Sequence, residues 1–471
     1  MTRYMTAMMR RAAAIVLGVM MTMTVSAQVE MGNDAEPLSV QHSEVFTLSF
    51  DNTQNDTNLL NGYVQQRFDK LLPGYTQSLS QRRSAKDGLS GDNLLAYNYL
   101  KEIIQQIAAG QMNTTAFQIP IDNIMTKTTW TAEELGVGNT FPDNVPPKDL
   151  VRETFQSCID FSMVVGALLC DLPFEFYWFD KTEGWKWAYG YQYNNKAFHF
   201  TEFSLKMNIA EEYAVQSGDQ YYPTQFNTSK VAAVNMAVEN AQYIVDNSTG
   251  TLLERLTGYK NKICQLTSYN TAAANNNWPY GNPWQLVWVF DGDTSTKVVC
   301  EGYAKAFKYL CDLSNFNNAE CLTVSGTMGG GTGEGPHMWN VMKMDDDRNY
   351  LVDVTNCDNG TTGYPDKLFM ASGPGGSYSN GYTFSLERND INYTYDDETK
   401  ALYSQSALTI SPIAYKPIGT GISNVSSDGN TPAAEGFYTL DGKRVEHPQK
   451  GIYIARMNDQ TKRKVVVKLQ R

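Results

Sequence analysis

From Lys297 to Thr355 the apolar period changes from helical to strand-like, and that change restricts how the segment can fold. After Cys300, the residues Ala304, Phe307 and Cys311 return at helical spacing, so a helix is expected to start at Cys300. His337-Met338-Trp339-Asn340-Val341-Met342-Lys343 alternates, and so does Tyr350-Leu351-Val352-Asp353-Val354-Thr355. The acidic turn Asp345-Asp346-Asp347 joins the two strands. A hairpin closing about Asp345 sets His337 opposite Asp353, to within a rung or two, and opposed residues share a face.

These positions carry chemistry. A helix N-terminus offers unpaired N–H groups and positive potential, which favour a thiolate, the nucleophilic form of Cys300. An Asp353 carboxylate beside His337 holds the imidazole tautomer and stabilises the imidazolium, while the other ring nitrogen faces a thiol. That is the logic of nucleophile, base and orienting acid. Only four histidines occur, His42, His199, His337 and His447, so a site built from several histidines is excluded. No CxxC pair and no EF-hand spacing occur, and neither a metal nor a cofactor is expected. The glycine-rich run from Gly329 to Pro336 lacks the Gly-Lys-Ser/Thr of a phosphate loop and reads as a flexible loop leading into the His337 strand.

Charge divides the 471 residues into three parts. Residues 1–27 hold three arginines and no acid, and 443–471 hold nine Lys/Arg against Glu446 and Asp459. With a total of −12, the body from 28 to 442 carries −22, which argues against a nucleic-acid partner. Arg10 and Arg11, the apolar stretch 12–23 and Val25-Ser26-Ala27 read as a cleaved secretory signal, with a secreted or cell-surface destination. No later segment reaches spanning length, so no permanent membrane span is expected. Export permits disulfides, yet the seven cysteines are odd in number and leave at least one thiol unpaired.

Along the chain, 28–85 is a polar leader segment. An α/β accessory region spans 86–225: a helix from near Ser90 to Gly110, a strand at 115–121, a helix at 149–170, and aromatic strands at 174–179, 185–193 and 198–207. Two amphipathic helices follow, the first with Val231, Val234, Val238, Ala241 and Val245, the second with Leu252, Leu256, Tyr259 and Ile263. A core region spans 226–415, a linker 416–434, and a β-rich module 435–471.

Val299-Cys300-Glu301-Gly302-Tyr303-Ala304, then His337-Met338-Trp339-Asn340, then Val352-Asp353-Val354-Thr355, in that order, resemble the transglutaminase-like superfamily. The resemblance covers about 226–370 and implies an α+β fold with a papain-like core. It implies Cys300 as nucleophile, His337 as base and Asp353 as orienting acid. The stretch before the nucleophile departs from the family's pattern, and Trp284 or Gln285 is the candidate oxyanion donor beside the Cys300 N–H. Gly436-Phe437-Tyr438-Thr439-Leu440-Asp441-Gly442-Lys443, Lys450-Gly451-Ile452-Tyr453-Ile454 and Lys464-Val465-Val466-Val467-Lys468 resemble the sorting signal of the Bacteroidetes type IX secretion system, which implies secretion machinery as a partner.

The expectation is an exported cysteine enzyme acting on amide bonds of a protein or peptide substrate through a thioester. Hydrolysis by a peptidase or amidase is expected over cross-linking, because water always competes and no amine site is marked. The alternative is a non-catalytic surface protein that uses the fold to bind peptide or glycan.

Overall fold

The computed structural model describes residues 39–48, 84–417 except 184, 276, 277, 317 and 333, and segments 434–439, 443–445, 451–457 and 462–467. The signal at 1–27, most of the leader and most of the linker lie outside the described residues. The chain is a mixed helix-and-sheet protein ending in an all-β sheet.

Two compact units are distinguished. Among the described residues the smaller holds 39–42, 129–147 and 192–199, where Thr129–Thr131 pairs with Ala197, Phe198 and His199 and Phe141 stacks on Phe198 at 6.0 Å. The larger holds the remaining described residues.

In the larger unit, helix α1 (Gly91–Ala108) starts after Ser90 and stops before Gly110, as the apolar spacing predicts. The single helix expected at 149–170 is two, α2 (Lys148–Cys158) and α3 (Phe161–Asp171). The break falls at Asp160, whose side chain accepts from the Met163 N–H at 3.2 Å and so caps α3. This stretch, 148–171, is the one among the described residues apolar and long enough to cross a membrane, and half of it is buried in the protein. Strand β1 (Ala116–Pro120) pairs antiparallel with residues 202–206 of β3 (Ala197–Met207), and β2 (Trp185–Tyr193) belongs to the same sheet; residues 192–199 of these two strands are the ones counted with the smaller unit. Their aromatics form a core with α2 and α3: Phe155 lies 4.6 Å from Tyr189, and Phe161 lies 4.3 Å from Phe203. The strand expected at 174–179 is instead a series of turns. Phe176, Tyr177, Trp178 and Phe179 are all buried, which a half-exposed strand with alternating faces does not permit.

Helices α4 (Val231–Asp246) and α5 (Leu252–Leu266) lead to α6 (Cys300–Ser314). A seven-stranded sheet follows: β4 (Glu320–Gly329), β5 (Gly335–Lys343), β6 (Asn349–Val352), β7 (Phe369–Ala371), β8 (Gly375–Ser377), β9 (Gly381–Ser385) and β10 (Asp390–Tyr395). Its order is β7-β6-β5-β4-β10-β9-β8. Helix α6 buries Tyr303, Ala304, Ala306, Phe307 and Leu310, and Asn340 of β5 donates to the Ala304 carbonyl of α6 at 3.1 Å. Gly326 of β4 lies opposite His337, where an added Cβ would stand 1.9 Å from the Thr394 carbonyl oxygen of β10. Only glycine allows β4 and β10 to approach there. At the C-terminus, β11 (Ala434–Tyr438), β12 (Arg444–Val445), β13 (Gly451–Met457) and β14 (Lys462–Val467) form a four-stranded sheet in the order β12-β11-β13-β14.

Candidate active site

Cys300 opens α6, as its sequence spacing predicts. The preceding segment is set by a short parallel pair, Ser268–Tyr269 with Lys297–Val298, and by the Val299 N–H donating to the Pro283 carbonyl at 2.8 Å. Gly302 lets the first turn seat on Val298, whose Cβ would stand 2.6 Å from an added Cβ. Cys300 is half-buried. All seven cysteines are free thiols. Burial pushes the Cys158, Cys170, Cys264, Cys311 and Cys357 thiols up, so these five are poor nucleophiles at neutral pH.

His337 and Asp353 meet, but through a register different from the expected one. Strand β5 pairs Met342 with Tyr350 and Asn340 with Val352, so the hairpin turns about Asp346 rather than Asp345. The difference is two residues along the strand, and an even shift keeps every side chain on its face. The ladder stops at Asn340 opposite Val352, so the strand expected through Thr355 ends early, and Asp353 follows it directly with its N–H donating to the Leu368 carbonyl at 2.9 Å. His337 Nε2 donates to Asp353 Oδ2 at 2.9 Å, with both side chains fully buried. The donation places a proton on Nε2 and leaves Nδ1 as the ring's second site, with no protein hydrogen-bond partner of ordinary geometry. The Cys300 thiol is the other group that acts on the ring. Burial disfavours the imidazolium, but the Asp353 carboxylate and the Cys300 sulfur outweigh it and raise the His337 pKa to about 10. Burial likewise pushes the Asp353 carboxyl up, and the His337 charge outweighs it to bring the net shift down.

Asp353 has two further supports that the sequence reading missed. The Tyr393 hydroxyl donates to Oδ2 at 2.6 Å, and Asn356 donates its side-chain N–H to Oδ2 at 2.7 Å and its backbone N–H to Oδ1 at 3.1 Å. Tyr393 lies on β10, whose alternation was a readable signal: Ile391, Tyr393 and Tyr395 are buried while Asp390, Asn392 and Thr394 are exposed. Asn356 also holds the glycine-rich segment, accepting from the Thr332 N–H at 2.8 Å. That segment joins β4 to β5, and the same Asn356 that orients Asp353 also donates to its Thr332 carbonyl at 3.3 Å.

Of the two candidate oxyanion donors, Gln285 is engaged elsewhere. Its side-chain N–H donates to the Phe176 carbonyl at 3.4 Å and to the Tyr280 hydroxyl at 3.2 Å, and its Oε1 accepts from Lys305 at 2.8 Å. Trp284 packs with Tyr280, Ala273 and Val299, the residue before Cys300, and stacks on Tyr280 at 5.6 Å. Glu301, the residue after Cys300, has its own set of partners. Its buried carboxylate binds Lys181 at 2.7 Å, Lys305 at 2.8 Å and the Tyr280 hydroxyl at 2.6 Å. Burial opposes its charge, but the two ammonium groups outweigh burial and lower its pKa to about 2. Among the described residues no His, Cys, Asp or Glu group is gathered as a metal-ligand cluster. A scan of protein-family models gives no match to this chain, and a search of curated proteins gives none either.

Proposed function

We propose that this protein is a transglutaminase-like cysteine enzyme that cleaves amide bonds of proteins or peptides. The observation that carries the reading is one buried His337 bonded through Nε2 to Asp353, with the Cys300 thiol of a helix start acting on the same ring. Cys300 Sγ attacks the amide carbonyl carbon and its proton passes to His337. The C–N bond breaks, His337 protonates the leaving amine, and a thioester to Cys300 remains. Water then attacks the thioester, giving its proton to His337, and the carboxylic acid leaves as the thiol re-forms. Asp353 keeps Nε2 occupied, so the Nδ1 position serves for proton transfer. The cleavage is expected to be hydrolytic, and an amine acceptor in place of water would give cross-linking.

Membership of the transglutaminase-like superfamily, the papain-like description of the core and export to the cell surface belong to the same proposal. The sorting role of 435–471 rests on the sequence resemblance, and deleting that segment is expected to hold the protein inside the cell envelope.

The test is competitive labelling with iodoacetamide followed by mass spectrometry of each cysteine. Cys300 is expected to react first, and Cys300→Ser to remove amide turnover from a mixed peptide pool. Equal labelling of the cysteines, with peptide processing intact in Cys300→Ser, would sink the enzyme reading. Product masses separate hydrolysis from transfer to an amine.

A further inference from the structure

The Glu301 cluster has no part in the triad, yet it joins three segments that converge on Cys300. From α6 come Glu301 and Lys305. From the accessory region comes Lys181, whose Nζ also lies 5.2 Å from the Tyr280 ring centre. From the 280–285 segment come Tyr280 and Gln285, both bonded to Lys305. The accessory region grips the same segment a second time. Glu212 Oε1 accepts from the Asn282 N–H at 2.6 Å, and the Tyr213 hydroxyl donates to Asn282 Oδ1. The next residue, Pro283, accepts from Val299, and Trp284 packs on that residue. A buried carboxylate with three donors in fixed positions leaves this segment little freedom.

We propose that the accessory region is part of the catalytic machinery: Glu301, clamped by Lys181, is the positioning residue that holds the 280–285 segment, and with it Trp284, the candidate oxyanion donor, against the residue before Cys300. This rests on the acyl-enzyme reading above. Lys181, Glu212 and Tyr213 act on the carbonyl oxygen of the substrate only through this segment. They do not touch the Cys300–His337 pair.

Two reactions of the same thiol separate this role from a merely structural one. Iodoacetamide is alkylated by direct displacement: the C–S bond forms, iodide leaves, and no oxyanion develops. p-Nitrophenyl acetate is attacked at its carbonyl. There the C–S bond forms, an oxyanion develops on the carbonyl oxygen, and the C–O bond to p-nitrophenolate then breaks. The full-length protein, Lys181→Met, Lys181→Arg and Tyr280→Phe are compared for the p-nitrophenolate burst and for the alkylation rate of Cys300. Tyr280→Phe keeps the ring stack on Trp284 and removes only the hydroxyl. Lys181→Met and Tyr280→Phe are expected to slow the burst about 10–100-fold, because a donor displaced by roughly 1 Å costs on that order. Alkylation is expected to stay within about twofold, since displacement needs no oxyanion donor. Lys181→Arg, which keeps the charge, is expected to recover part of the burst. Burst and alkylation slowed together would overturn the clamp and leave a structural role, as would a burst unchanged in both variants. A wild-type protein with no Cys300-dependent burst overturns the acyl-enzyme reading itself, and the clamp with it.

Discussion

Replacing Asp353 by Asn removes one charge from a fully buried pair and leaves its shape. The His337 pKa lies at about 10 against an ordinary 6.5. At about 1.4 kcal/mol per unit, the surroundings favour the imidazolium by roughly 5 kcal/mol. Burial acts against that charge, so the favourable interactions exceed the net figure, and the Asp353 carboxylate is the largest of them. In Asp353→Asn one carboxylate oxygen becomes an NH2 that faces a donor of His337, Tyr393 or Asn356, so a far-ultraviolet circular dichroism spectrum matching wild type is taken first to show that the variant is folded. Burial then acts against the Cys300 sulfur alone, and the His337 titration falls into or below the neutral range. The assay is proton NMR of the histidine C2–H resonances against pH, with His337→Gln assigning the signal. The wild-type resonance is expected to stay in its charged position through neutral pH, while the Asp353→Asn resonance moves there. Acylation by p-nitrophenyl acetate at pH 7 is expected to drop about 10²–10⁴-fold, the scale for losing the orienting acid of a triad. A His337 midpoint unchanged in Asp353→Asn would refute the electrostatic account, whatever happened to the rate.

The same pair makes stability depend on pH. The raised His337 pKa adds stability fully present below about 6.5 and lost as pH rises through about 10, so urea midpoints of wild type and His337→Gln should converge on the alkaline side. The lowered Asp353 pKa adds stability present above its ordinary 3.8 and lost as pH falls through its folded value, which acid titration of wild type against Asp353→Asn will show. Tyr393→Phe removes a 2.6 Å donor from a buried carboxylate and is expected to cost about 1–3 kcal/mol in urea unfolding. Gly326→Ala places a methyl group 1.9 Å from the Thr394 oxygen and should cost about 3 kcal/mol or more, read as a lower thermal midpoint.

Local pattern accounts for much of what was legible. The helix that starts at Cys300, the two helices before it and the hairpin strands around the acidic turn all follow from periodicity over neighbouring residues. Burial decides such elements, and burial repeats with the period of the element itself. Face is robust as well, which is why a hairpin turning about Asp346 instead of Asp345 still brings His337 and Asp353 together. Where consecutive aromatics are all buried, as at Phe176 to Phe179, periodicity carries no direction, and turns were read as a strand.

The supports of the site were not legible in this way. Tyr393 reaches Asp353 from 40 residues away, Lys181 reaches Glu301 from 120, and Glu212 reaches Asn282 from 70. Each meeting depends on sheet order and on how distant segments pack, which no window along the chain contains. Gln285 shows the same limit, since its place beside the nucleophile suggested a donor while its amide is held by Phe176, Tyr280 and Lys305. The sequence by itself determined which side chains have the chemistry and which local element presents them, because those depend on residue type and period. Tertiary structure alone decided which groups orient, clamp and neutralise them, because a buried charge takes its partners from whatever the fold brings within hydrogen-bond reach.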